Sequence, residues 1–124
     1  MSRVVHFEVP STDLAASKMF YENVFGWKFT SYGGGPVEYW LISTGDPSAP
    51  GINGGLGGAA NDLKATVNTV DVDDVEEALR KVQANGGQVI MPKEEIPGVG
   101  WLAYVREPGG AVIGMMQALP GARM

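Results

Sequence analysis

The sequence repeats itself at an offset of 61 residues, and this repeat limits the folds open to the chain more than any other feature. Matches at this offset stay in one register without a gap and include the rarer residue types tryptophan, proline and glycine. Two copies are too few for a solenoid, so the repeat predicts one pseudo-twofold domain over residues 1–124, with module one at 1–61 and module two at 62–124. The matched pairs are Val9 with Val70, Asp13 with Asp74, Gly26 with Gly87, Pro36 with Pro97, Trp40 with Trp101, Leu41 with Leu102, and Ile52 with Ile113.

Each module contains one helix with recognisable ends. In module two, either Asp73 with Glu76 or Asp74 with Glu77 gives the spacing of a capping box, and Asn85 is followed by two glycines that end the helix. Between the cap and the glycines, apolar residues recur at the three- and four-residue spacing of an amphipathic helix. In module one the predicted helix runs from Thr12-Asp13 to Gly26, with Phe20 and Phe25 alongside its stripe. The predicted stripes are Leu14, Ser17, Tyr21 and Val24 in module one, and Val75, Ala78, Leu79 and Val82 in module two.

One extended run precedes each helix and three follow it, so each module has the order βαβββ. The predicted strands are residues 4–9, 27–32, 37–43 and 51–56 in module one, and 65–70, 88–91, 99–106 and 111–117 in module two.

Composition excludes several classes of function. The formal net charge of −5 leaves no basic face to bind nucleic acid or an anionic membrane. The absence of cysteine removes disulfides, thiolate nucleophiles and zinc–thiolate sites. No apolar run reaches the length of a membrane span or of a signal-peptide core, so a cytoplasmic protein is expected.

The glycine-rich stretch GINGGLGG at residues 51–58 is not a phosphate-binding loop. Such a loop needs a following helix, with Lys-Ser/Thr or a spaced acidic residue behind the glycines, and none follows here. The stretch is interpreted as the fourth strand of module one. Glycine in a strand indicates a close approach by another group or, alternatively, an irregular and mobile edge.

The phrases HFEVPSTD, MFYENVFGWKF, YWLISTG and REPGGAVIGMMQ, in this βαβββ order, resemble the vicinal oxygen chelate superfamily. That superfamily includes glyoxalase I, bleomycin-resistance proteins and extradiol dioxygenases. The resemblance implies an α+β fold in which two tandem βαβββ modules form a curled mixed sheet, a cup that holds a ligand. It does not imply one reaction, because the superfamily contains both enzymes and binders.

The resemblance also implies where metal ligands would lie. The positions that correspond to the ligands of metal-dependent members are Val4, Asn53, Ala65 and Gly114, and none is histidine or a carboxylate. A divalent ion needs several anionic or imidazole donors, so no metal and no cofactor is expected. A register slipped by two residues would instead make His6 the first ligand, and this alternative stays open.

His6 and Glu8 are polar residues on the first predicted strand. Because side chains alternate along a strand, they share one face with Val4, while Val5, Phe7 and Val9 share the apolar face that packs on the helices. They either pair with each other on a wet sheet surface, or orient a polar ligand and exchange protons with it.

Aromatic residues occupy the third strands of both modules. Tyr39, Trp40, Trp101 and Tyr104 either pack within the sheet or, in the case of Trp40 and Trp101, line the cup for a flat apolar ligand.

Three functions remain open from the sequence. The first is a metal-free small-molecule binder that acts as a homodimer, without nucleic acid or membrane as a partner. The second is a glyoxalase-like lyase or isomerase, or a dioxygenase, that uses His6 and Glu8. The third is an interaction module whose cup is filled by its own side chains. The candidate ligand-binding residues are His6, Glu8, Trp40, Asn53 and Trp101.

Overall fold

The computed structural model describes residues 2–32, 38–58 and 65–120 of the chain. In this part of the chain, strands and helices follow the order strand, helix and three strands, and then the same order again, which makes a mixed α+β fold, as expected from the sequence. The elements are β1 (Val4–Ser11), α1 (Leu14–Phe25), β2 (Lys28–Ser31), β3 (Tyr39–Ser43), β4 (Asn53–Gly58), β5 (Val67–Asp71), α2 (Val75–Ala84), β6 (Gln88–Ile96), β7 (Gly100–Arg106) and β8 (Val112–Ala118). Within the described ranges, no helix is long and apolar enough to cross a membrane.

The chain divides into two compact units. The first unit is His6–Thr66, and the second comprises Met1–Val5 and Val67–Met124. In the first unit the strand order is β2–β3–β4–β1, with two antiparallel pairs followed by a parallel one. In the second unit the order is β6–β7–β8–β5, with the same sequence of pairing directions.

Helix α1 begins and ends at the residues that the sequence predicts. The side chain of Asp13 accepts a hydrogen bond from the backbone N–H of Ala16 at 3.0 Å, which satisfies one of the free donors of the first turn. Gly26 ends the helix in the left-handed conformation at φ 72°, which glycine adopts without steric cost.

The predicted apolar stripe of α1 is wrong at Val24, which is 56% exposed. Tyr21 of the same stripe does pack, because its ring stacks on that of Trp27 with the centroids 4.9 Å apart. Three further apolar residues of α1 are more than half exposed, and together with Val24 we call them the α1 apolar face. Its members are Met19, Phe20, Val24 and Phe25.

Helix α2 of the second unit has the amphipathic pattern that the sequence predicts. Asp74, and not Asp73, caps it by accepting from the backbone N–H groups of Glu76 and Glu77 at 3.0 and 3.2 Å. Its apolar side forms a core with strands β7 and β8 of the same unit. The buried members of this core are Val75, Leu79, Ala103, Val105 and Met115.

Strand β6 is longer than expected, because it continues through Pro92 and the charged residues after it to Ile96. Its pairing with β7 shifts register between Val89 and Met91 and again between Met91 and Glu94. β6 is the outermost strand in the second unit's order, and such a strand tolerates proline and bulges that would break a central strand.

Candidate functional site

Alternating side chains of β1 separate polar from apolar residues, as the sequence predicts. The ring of Phe7 lies 5.7 Å from that of Trp27, next to α1. His6 and Glu8 lie on the other face, where His6 Nε2 is 2.8 Å from Glu8 Oε1. His6 is only 9% exposed and the side chain of Glu8 is 23% exposed, so the pair is largely withdrawn from water.

A third polar side chain joins this pair from β3. The hydroxyl of Tyr39 donates to the same oxygen, Glu8 Oε1, at 2.6 Å. A carboxylate oxygen only accepts, so the imidazole of His6 donates to it through Nε2. We call His6, Glu8 and Tyr39 the polar cluster.

The glycines of β4 make room for Tyr39. β4 pairs with β1 on one side and with β3 on the other, so it is a central strand of the first unit and not an irregular edge. A Cβ atom at Gly55 would collide with the Tyr39 hydroxyl, and one at Gly57 would lie 3.1 Å from the ring. The close approach that the glycines indicated is therefore made by the tyrosine side chain that reaches Glu8.

Gly54 has the same role on the opposite face of β4. A Cβ atom there would collide with the backbone oxygen and the ring of Phe7. Both faces of this strand thus need glycine, because an aromatic ring lies directly on each of them.

The second unit contains a related arrangement without the charge. Tyr104 of β7 lies over Gly114 of β8, where a Cβ atom would be 3.1 Å from its ring. The same atom would be 2.9 Å from Oγ1 of Thr69, the residue 61 positions after Glu8. Thr69 is only 1% exposed, and it puts a hydroxyl where the first unit has a carboxylate.

Residues at the expected metal positions do not fit a metal ion. The side chain of Asn53 accepts from the backbone N–H of Thr44 at 3.0 Å and so caps the end of β3. Val4 and Ala65 carry no donor atom, and Ala65 lies before the start of β5. Gly114 has no space for a longer side chain unless Tyr104 moves.

The slipped register, with His6 as the first ligand, finds no further support. Among residues 2–32, 38–58 and 65–120, no group of three histidine, cysteine, aspartate or glutamate side chains is arranged to hold a metal. His6 and Glu8 bind each other, which leaves the donor set short of what a transition metal requires.

The two tryptophans expected to line a ligand site lie elsewhere. Trp40 alternates with Tyr39 and so points away from the polar cluster, toward α1, where Lys18 Nζ is 5.2 Å from its ring. Trp101 packs against the apolar core of the second unit, with Lys93 Nζ at 4.3 Å from its ring. Trp40 is therefore not brought next to His6 and Glu8, and Trp101 packs within its own unit.

Tyr39 is the site residue that the sequence reasoning missed. The strand pairing explains how it could be recognised. Tyr39 of β3 lies opposite Gly57 of β4, and Leu41, two residues further along β3, lies opposite Gly55. A large residue on one strand facing glycines on the next indicates that its ring lies over them.

Within the part of the chain that the structure describes, the ion pairs are His6 with Glu8, Lys18 with Glu22, and Lys81 with Glu77. No lysine or arginine pairs with Glu8 there. The polar cluster can therefore accept a hydrogen bond at Glu8 and hold a proton at His6, but it has no fixed cation to attract an anion.

Comparison with known proteins identifies relatives of the chain. The model of the Glyoxalase/Bleomycin resistance protein/Dioxygenase superfamily matches residues 3–115. Two proteins named "Putative glyoxylase CFP32", from Mycobacterium bovis and Mycobacterium tuberculosis, are each 34% identical to this chain over 115 residues. The matches cover 90% of this chain but 44% of each relative, so the chain spans less than half the length of these curated relatives.

Solved structures share the fold at low sequence identity. A hypothetical protein, BH1468 from Bacillus halodurans, superposes with a TM-score of 0.72 at 15% identity, over 99% of both chains. Methylmalonyl-CoA epimerase from Mycobacterium tuberculosis superposes with a TM-score of 0.69 at 12% identity, over 94% of this chain and 88% of the epimerase. At these identities, the likeness shows the fold alone.

Proposed function

The chain belongs to the glyoxalase/bleomycin resistance protein/dioxygenase superfamily, and from this premise we propose that it binds a small organic molecule at the polar cluster without the metal ion that many members use. The observation that carries the proposal is the arrangement of His6 and Tyr39 around one oxygen of Glu8. Three polar groups held on one sheet face, at partial exposure, are the kind of fixed recognition element that small-molecule sites contain.

Glycines in β4 support this proposal, because they position the cluster at a cost to the strand. Glycine destabilises a strand interior by roughly 0.5–1 kcal/mol relative to alanine. Gly55 and Gly57 nevertheless lie beneath the ring of Tyr39. The two glycines therefore lower the intrinsic stability of β4 at the place where the Tyr39 hydroxyl binds Glu8.

The metal-free part of the proposal rests on the donor set. Val4, Ala65 and Gly114 offer no side-chain donor, and Asn53 is engaged with Thr44. A ligand would therefore contact the side chains of the polar cluster directly, and no step through a metal ion is derived for this chain.

A second candidate function is metal-free acid–base catalysis of the lyase or isomerase kind. It is supported by the name of the curated relatives, although this chain covers only 44% of their length. It is also supported by the contact between His6 and Glu8, since an imidazole held by a carboxylate is a common general base. A dioxygenase reaction has less support, because such enzymes of this superfamily rely on the metal ligands that the chain lacks.

Fragment binding followed by NMR tests the proposal. We expect members of a library of small aromatic and aliphatic fragments, at millimolar concentration, to shift the backbone amide signals around the polar cluster in ¹⁵N-labelled protein. In the double variant His6→Ala/Glu8→Ala these shifts should disappear while the remaining spectrum stays folded. Lys81→Ala/Glu77→Ala removes another ion pair and serves as the matched control.

If the fragments shift only signals far from the cluster, or bind the double variant equally well, the proposed site is wrong. To separate binder from enzyme, the same bound fragments are followed over time. Chemical conversion that depends on His6 would favour the second candidate.

We also propose that the protein works as a cytoplasmic homodimer. The α1 apolar face supports the pairing, because Met19, Phe20, Val24 and Phe25 are each more than half exposed. The rings of Phe20 and Phe25 are in contact, with centroids 6.3 Å apart. An exposed apolar patch marks an interaction surface more often than an isolated exposed residue does. A second copy of the chain would present the same uncharged face and cover it symmetrically.

A further inference from the structure

Hydrogen bonding within the polar cluster is concentrated on one oxygen of Glu8. His6 Nε2 and the Tyr39 hydroxyl both bind Oε1, at 2.8 and 2.6 Å. A carboxylate has two oxygens with about four acceptor positions in total. The acceptor capacity that remains, chiefly at Oε2, can be filled only by a group that donates an N–H or O–H.

Charge favours the same kind of ligand. No lysine or arginine within the described residues forms an ion pair with Glu8, and the chain as a whole carries a net charge of −5. Lys28 lies on the same sheet face, but it is opposite Ser43 at the far end of β3. Glu8 aligns with Gly55 and Leu41, so Lys28 lies two residues along the strands and three strand spacings, roughly 14 Å, across the sheet from Glu8. A carboxylate or phosphate next to Glu8 would therefore meet repulsion with no lysine or arginine beside it, and the Nε2 donor of His6 is already used by Glu8.

Exposed apolar side chains lie on the same sheet face as the carboxylate. Tyr32 is 48% exposed and packs edge-on against Tyr39, with the ring centroids 5.9 Å apart. Leu41 is 41% exposed, and it shares the sheet face of Tyr39 because it lies two residues along β3. The glycine opposite Leu41 is Gly55, and the end of the Tyr39 side chain lies over it. A ring or short chain can lie on such a surface while its polar end reaches Glu8.

Taking the polar cluster as the ligand site of the proposed function, we infer that it selects flat apolar molecules that carry an N–H or O–H donor, binds cationic nitrogen most tightly, and rejects carboxylates and phosphates. The ligand class is thus an aromatic or short aliphatic amine, amidine or alcohol. Charge-assisted hydrogen bonds are about twice as strong as neutral ones, which places amidines and amines ahead of alcohols.

Three probes with the same ring and different polar groups test this inference. Benzamidine is a cationic donor, benzyl alcohol is a neutral donor, and benzoate is an anionic acceptor. We expect affinities, measured by titration of the amide signals around the cluster, to fall in that order, with benzamidine binding about tenfold or more tightly than benzoate.

Two variants assign the selectivity to Glu8. Glu8→Gln keeps the shape but offers both a donor and an acceptor, so the difference between benzamidine and benzoate should shrink severalfold. Glu22→Gln neutralises a carboxylate on α1 outside the site, and it should leave the order and the ratio unchanged.

Benzoate binding as tightly as benzamidine would overturn the inferred ligand class, while binding of either probe at the cluster would leave the proposed function standing. Loss of benzoate binding in Lys28→Ala would then identify the cation responsible. The inference is also overturned if the ratio of the benzamidine and benzoate affinities is unchanged in Glu8→Gln, or if none of the three probes shifts these amides. In that last case, the fragment library decides the proposed function separately.

Discussion

Glycine at position 55 allows the ring of Tyr39 to lie against β4, and its replacement is the sharpest single-residue test of how the cluster is built. In Gly55→Ala the new methyl group collides with the tyrosine hydroxyl. We expect a loss of about 1–3 kcal/mol in the free energy of unfolding, as for other overpacked sites, together with loss of fragment binding. Urea denaturation and the NMR titration measure the two effects.

Gly58→Ala is the matched control for that substitution. Gly58 is in the same strand, but a Cβ atom there meets nothing within 4 Å. The free energy of unfolding of Gly58→Ala should differ from that of the parent by no more than a few tenths of a kcal/mol. Equal stability and equal ligand binding in Gly55→Ala would show that Tyr39 is not held where the account needs it.

The pKa of Asp46 leads to a prediction about how stability depends on pH. Hydrogen bonds from the backbone N–H and the hydroxyl of Ser48 hold the pKa of Asp46 below its ordinary value, because they favour the charged carboxylate. A group whose pKa is lowered by folding adds stability above its unfolded pKa, and that stability is lost as pH falls through the folded pKa.

We therefore expect Ser48→Ala to raise the pKa of Asp46 toward the ordinary value, as followed by NMR titration of its side-chain carboxyl carbon. The loss of stability in Ser48→Ala should be present above the ordinary pKa of aspartate and should vanish as pH falls through the folded pKa of Asp46, and it should be small because Asp46 is exposed. An unchanged titration of Asp46 would mean that the Ser48 contacts do not persist in solution.

Local patterns explain how far the candidate site could be predicted from the sequence. The alternation of β1 places His6 and Glu8 on one face and Phe7 on the other, because the period of a strand leaves no alternative. Tyr39 could not be assigned in the same way, since its contact with Glu8 depends on how three strands align. Its neighbour Trp40 was expected at the site for its size, but strand alternation directs it toward Lys18 of α1.

At the scale of elements, end signals determined the helices more reliably than apolar periodicity did. The residues at Asp13 and Gly26 predicted the ends of α1, because capping is a local interaction. Which apolar residues of α1 would be buried is decided by long-range packing, and this is why Val24 was placed wrongly. Strand β6 was predicted too short for a related reason, since only its outer position in the unit tolerates Pro92.

Helix α2 offers a direct test of the cap that the sequence left open between two neighbouring aspartates. Asp74→Ala removes the acceptor used by Glu76 and Glu77, and it should lower the free energy of unfolding by about 1 kcal/mol. Asp73→Ala is the control and should change it by no more than a few tenths of a kcal/mol. Thermal or urea unfolding of the two variants shows which aspartate caps the helix. A larger loss of unfolding free energy in Asp73→Ala than in Asp74→Ala would identify Asp73 as the cap.

At the scale of the whole molecule, the repeat suggests a designed test of self-association. Positions 19 and 20 of α1 carry methionine and phenylalanine, whereas the positions 61 residues later in α2 carry Arg80 and Lys81. The two helices occupy the same place in the element order of their units. The apolar residues at positions 19 and 20 are therefore not required by the helix itself.

We expect the parent protein to be a dimer by light scattering at micromolar concentration. Copying the α2 residues into α1, as Met19→Arg/Phe20→Lys, should yield a folded monomer, because charges in a closely packed apolar interface are costly to bury. Arg80→Ala/Lys81→Ala in α2 is the control and should remain a dimer. A monomeric parent, or a double α1 variant that still dimerises, would exclude α1 as the pairing surface.

The central claim is that a small molecule binds at His6, Glu8 and Tyr39 with no metal ion taking part. The most direct measurement is the fragment-induced shift of the amide signals of these residues in protein purified without a histidine tag, recorded before and after treatment with EDTA. We expect shifts of equal size and equal titration midpoints in both samples. Shifts that vanish with EDTA and return on addition of zinc, nickel, iron or manganese would contradict it.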